Sequence, residues 1–155
     1  MDDMEAYARR AREFFHQGYN CAQSVFLAFA GDLGLEQAAA ARMASSFGAG
    51  MGRLREVCGA VTAMFLIAGI ALGYDDPADD EAKAGHYRRI QELAAQFRAR
   101  HGTLLCRELL GLPAGPDDPT PSARTPQYYA SRPCADCIAD AAAIIARRLR
   151  EEGRL

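Results

Sequence analysis

The 155-residue sequence has no tryptophan, few β-branched runs and no apolar stretch long enough to cross a bilayer. Its longest uncharged run, residues 57–72, would make a helix of roughly 24 Å, short of the ~30 Å hydrocarbon core. A helix apolar on all sides but too short to span reads as the buried central helix of a globular domain. No dense basic face stands out at a net charge of −2 and a pI of about 5.9, which argues against nucleic acid as a partner. The opening residues, MDDMEAYARRAREFF, lack the basic and apolar regions of a signal peptide, so the expectation is a cytoplasmic protein without a membrane role.

Several site chemistries are also missing. The glycine-rich loop at 48–52 has no GK[ST] ending and no preceding strand, so it does not read as a phosphate cradle. The acidic residues at 75–81 lack EF-hand spacing and fit a solvated helix start. Ser45, Ser46 and Thr62 have no evident base partner, which leaves nucleophilic hydrolysis unsupported. A single CxxC, Cys134 to Cys137, falls short of the two pairs of a zinc ribbon, and no compact cysteine run suggests a ferredoxin.

What remains is helical. Half of the residues are apolar, a quarter are charged, and alanine is abundant. The spacing predicts an all-α fold: one domain over 1–155, a bundle of about five or six helices around the buried central helix. Helices are expected at 3–17, after the N-cap Asn20, from about Glu36 with Met43 on its buried face, over 57–72, over 79–100 burying Tyr87, Ile90, Ala94 and Phe97, over 104–110, and from Pro133-Cys134 to about Glu152. Residues 111–133, rich in proline, read as an irregular, lid-like loop.

Five cysteines in a reducing compartment point to redox chemistry, metal binding or packing. Four stand at predicted helix starts: Cys21, Cys58, Cys106 and Cys134. A helix N-terminus offers free N–H groups and partial positive charge, which lowers a thiol's pKa. Cys134 shares a stripe with Ile138, Ala141 and Ile145 and is the better candidate to meet Cys58. Cys137 lies one step round and reads as a packing residue or auxiliary thiol. Gly50 and Gly59 would let backbone approach the sulfurs. Free cysteine is also among the most buried residue types, so packing is the competing reading. His16 and His101 read as a surface residue and a helix C-terminal dipole partner.

GYNCAQSVF at 18–26, FGAGMG at 47–52, CGAVTA at 58–63, CRELLG at 106–111 and PCADCI at 133–138 together resemble the C_GCAxxG_C_C family of redox-active proteins. The resemblance spans nearly the whole chain. It implies a small helical protein with four signature cysteines, matching Cys21, Cys58, Cys106 and Cys134. A related domain forms part of split-Soret cytochromes, which are associated with an iron–sulfur centre. Two positions depart from the pattern: Ala63 replaces a glycine, and Cys137 stands where the family tends to be apolar. The resemblance names no reaction or substrate.

The expected function is therefore a redox protein whose Cys21, Cys58, Cys106 and Cys134 converge, flanked by Gly50 and Gly59, with Cys137 auxiliary. The site would hold an iron–sulfur cluster, or another metal such as zinc, and pass electrons to a redox partner protein. Two alternatives stand beside it: a metal-free dithiol/disulfide protein, and a helical module whose cysteines only pack. The alanine-rich helices would also support a homodimer.

Overall fold

Helix boundaries follow the capping residues. A computed structural model describes residues 3–155. It contains α1 (Asp3–His16), α2 (Cys21–Ala30), α3 (Gln37–Ala44), α4 (Gly59–Leu72), α5 (Asp80–His101), α6 (Cys106–Leu110), α7 (Pro126–Ser131) and α8 (Cys134–Glu151). No strand forms among the described residues; the one β-type contact is an antiparallel bridge between Val57 and Leu105. The fold is all-α, and no described helix is long and apolar enough to cross a membrane.

The caps match their sequence signals. Asn20 and Gln23 form a reciprocal capping box at α2, and the Asp79 side chain accepts from Ala82 N at α5. α1 packs on α8 and α2 packs on α4, so that alanines such as Ala11, Ala22, Ala63 and Ala141 vanish from solvent and bring backbones close. Ala63, the departure from the family glycine, is fully buried without disturbing α4.

Four expectations need correcting. Residues 57 and 58 precede the central helix: Val57 pairs with Leu105, and Cys58 is the N-cap. The helix is apolar all round but not buried all round. Its first part is core, while Ile70 near its C-terminus is 42% exposed. Tyr87 and Met43 point outward; on α5, Ala94 and Phe97 are buried as expected, Ile90 is half-buried, and His86 and Leu93 are the buried positions not foreseen. Residues 111–133 are not wholly irregular, since Thr125 caps the six-residue α7 by accepting from Tyr128 N.

Charge fixes α5 against α8. Arg89 on α5 makes a two-pronged ion pair with Glu152, donating at 2.8 and 2.7 Å, and Arg148 bridges Glu152 and Glu92. Arg89 above all holds the Glu152 carboxyl down to about 2 from its ordinary 4.5. A carboxyl depressed on folding contributes stability that is present above pH 4.5 and lost as pH falls toward 2. Glu152→Gln is therefore expected to cost about 1 kcal/mol at neutral pH. In urea titrations that deficit should shrink between pH 4.5 and 2; a deficit unchanged at pH 2 would remove the linkage.

Candidate functional site

Each sulfur is positioned by backbone. The Asn20 capping box makes Cys21 the first residue of α2, and Pro133 makes Cys134 the first residue of α8. Cys58 N donates to Leu104 O at 2.8 Å, and Cys106 N donates to Glu56 O at 2.7 Å. These two bonds lay residues 56–58 against 104–106 and set Cys58 beside Cys106. Cys137 comes one turn into α8.

The connection to Cys58 is unusual. From Ala49 through Arg53 every φ is positive, between 57° and 71°, and Arg55 follows at 60°. The turn closes through Gly52 N to Gly48 O at 2.8 Å, a left-handed helical turn that includes three non-glycine residues. Gly50 is required inside it. A Cβ there would lie 2.6 Å from the Cβ of Cys106 and 2.8 Å from Cα of Arg55.

All five cysteines line one cavity of about 220 Å³. Cys137 and Cys58 form its floor, 2% and 7% exposed, whereas Cys21 and Cys134 are half-buried nearer the rim. Phe15 and Tyr128 wall it, and Arg53, Arg55, Arg124 and Arg132 contribute to the lining, which contains no carboxylate. Gly59 also lines it, while Gly50 does not; it backs Cys106 instead.

The pairing within the floor differs from the helical-stripe expectation. Cys58 neighbours Cys137 and Cys21, whereas Cys134 interacts electrostatically across the cavity with Cys21 and Cys106. The stripe argument fails because Cys134 begins its helix at the rim, and the thiol that reaches the core is one turn deeper.

The expected lowering of thiol pKa at helix starts is also overturned. Contact with Cys58 and burial push Cys21 up, contact with Cys137 and burial push Cys58 well up, and burial raises Cys134 to about 11. Backbone N–H groups at the helix starts do pull Cys21 and Cys58 down, but burial and the neighbouring thiols outweigh them. Cys106 is raised by burial too, yet it has a counterion. Arg55, itself 2% exposed, donates from Nη1 to Cys106 Sγ at 3.5 Å and ion-pairs with Asp117 at 3.0 Å.

Cys137 has a partner that sequence reading missed. Its Sγ lies 3.8 Å from Nδ1 of His101, whose Nε2 lies 2.8 Å from Oδ2 of Asp140. The carboxylate accepts from Nε2–H, which leaves Nδ1 as an acceptor facing the thiol. Cys137 and Asp140 are three residues apart and share a face of α8, a spacing visible in the sequence. Nothing in the sequence marked Arg55 as the partner of Cys106.

Five thiolates would suit a soft metal. However, among the described residues no group of three or more His, Cys, Asp or Glu is arranged to hold a metal ion. All five cysteines are free.

Gly59 sets the packing of the thiol floor. A Cβ added there would fall 2.5 Å from Cys21 Sγ and 2.7 Å from Phe47 O. Gly59→Ala should cost roughly 1–3 kcal/mol by overpacking and push the Cys21 side chain aside. Chemical denaturation together with the alkylation rate of Cys21 checks this; an unchanged midpoint and rate would show that the site yields without cost.

No curated protein and no solved structure matches the chain. A family model described as "Putative redox-active protein (C_GCAxxG_C_C)" matches residues 19–148, which include all five cysteines. The chain belongs to the C_GCAxxG_C_C family of redox-active proteins.

Proposed function

We propose that this chain is a two-electron dithiol/disulfide redox protein in which Cys58 and Cys137 are the cycling pair. One observation carries the reading: Cys137, buried on the cavity floor with the neighbouring thiol Cys58, has its sulfur 3.8 Å from His101 Nδ1. His101 Nδ1 takes the Cys137 proton while Asp140 steadies the imidazolium. The Cys137 thiolate attacks one sulfur of a small disulfide RSSR, forming a mixed disulfide and releasing RS⁻, which recovers the proton from His101. Cys58 then attacks the Cys137 sulfur, and its proton leaves with the second thiolate. Two protein thiols and RSSR become one protein disulfide and two RSH. A partner dithiol would reverse the cycle.

The cavity also supports an iron–sulfur reading, because five sulfurs surround about 220 Å³. That reading requires the sulfurs to draw together from the positions described above. Iron content and the visible spectrum of anaerobically purified protein separate the two. Bound iron with charge-transfer absorption would favour the cluster, and a colourless, metal-free protein would remove it.

For the dithiol reading, excess 2-hydroxyethyl disulfide should consume two of the five thiols, and Cys137→Ser should abolish that loss. His101→Asn should slow it on the order of 100-fold, the contribution of a positioned base. Loss of two thiols that persists in Cys137→Ser would assign the cycle to other cysteines.

A further inference from the structure

The rim of the cavity carries charge that the redox step does not use. Of its four arginines, Arg53 and Arg55 are both ion-paired to Asp117. Arg124 and Arg132 have no carboxylate within ion-pair distance among the described residues. Arg124 is held by neutral groups: it donates to Phe15 O and Tyr19 O, each at 3.1 Å, and lies over the rings of Phe15 and Tyr128. Arg132 lies 4.6 Å from the Tyr128 ring centroid and makes no hydrogen bond or ion pair among the described residues. Two guanidiniums thus flank one aromatic wall of a sulfur-lined cavity, one of them fixed and the other with its donors open.

Both cations act on the sulfurs. Each pulls the Cys134 thiol down against its burial, and Arg132 does the same at Cys106. Their charge is therefore felt inside the cavity as well as in the surrounding solvent. A ligand entering past them meets positive charge and an aromatic face, with no carboxylate in the lining to oppose a negative group.

Resting on the dithiol reading above, we propose that the cavity takes small disulfides that bear carboxylates, with Arg132 binding a carboxylate at the mouth and Arg124 reinforcing its charge. A guanidinium offers a planar pair of donors that matches a carboxylate, which a neutral or cationic disulfide cannot engage. The cavity's size favours a low-molecular-weight compound over a folded protein's disulfide.

The reduced chain is treated with three small symmetric disulfides: dithiodiglycolate (a dianion), 2-hydroxyethyl disulfide (neutral) and cystamine (a dication). Second-order rates of thiol loss are normalised to the rates of the same disulfides with free dithiothreitol. The dianion should be preferred over the neutral compound on the order of tenfold, with cystamine slowest, as expected for one charge-assisted pair. Added salt should narrow the preference. Arg132→Gln should largely abolish the preference, bringing the normalised dianion rate down to that of the neutral compound. Arg132 is only partly buried and makes no hydrogen bond or ion pair among the described residues, so the fold should tolerate the change. Equal normalised rates for the three compounds, or a preference that survives Arg132→Gln, would overturn the substrate assignment and leave the dithiol cycle standing. Failure of all three to consume thiols would overturn the dithiol cycle and this proposal with it.

Discussion

Desolvation of sulfur governs this molecule. Helix N-termini favour thiolate, and Cys21 and Cys58 do receive that help from backbone N–H groups, yet burial and thiol–thiol contact leave both above the ordinary thiol range. Cys21, Cys58, Cys106 and Cys134 consequently rest as neutral thiols. Neutral thiols are poor nucleophiles, which protects the pocket from adventitious oxidation and makes reactivity depend on a proton acceptor or a cation. The structure supplies one of each: His101 beside Cys137, and Arg55 beside Cys106.

The cation is obtained at a backbone cost. Ala49, Met51, Arg53 and Arg55 hold positive φ, each of order 1–2 kcal/mol for an L-residue. The surrounding bonds offset it: Gly52 N to Gly48 O, Glu56 N to Gly50 O, Asp117 N to Arg53 O, and the Asp117 carboxylate shared by Arg53 and Arg55. Along this path the Arg55 side chain ends buried, with Nη1 3.5 Å from Cys106 Sγ. Strain gathered at a side chain with such a partner fits a site element better than a mere connector. The proline-rich segment contributes through Asp117, and so acts as a brace on the left-handed turn.

Most of the helices were legible in the sequence, because their signals are local. Asn20 with Gln23, Asp79 and Pro133 mark starts that the structure reproduces within a residue or so. Facing was less legible. Tyr87, expected in the core, is exposed while its neighbour His86 is buried, since an alanine-rich helix with aromatics on neighbouring positions has no sharp stripe. Within the site, helical periodicity misassigned Cys134 and Cys137 because it assumes that both residues sit in the body of a packed helix. Cys134 is at the end, where the core has already given way to the cavity. The left-handed turn was legible as glycine-rich but not in its handedness, since three of its five residues are not glycine.

The proton acceptor ties the site to the bundle. Cys137 and Asp140 both belong to α8, while His101 is the last residue of α5, so the relay exists only while those two helices keep their register. That register is clamped at both ends. Arg89 and Arg148 grip Glu152 at one end, and Asp140 receives both Arg100, at 3.0 Å, and His101 at the other. A shift of one residue along α8 would turn Asp140 by about 100° away from His101 and release the tautomer that keeps Nδ1 open to the thiol. The surface ion pairs of α5 and α8 thus act on the chemistry of a buried sulfur that they do not touch.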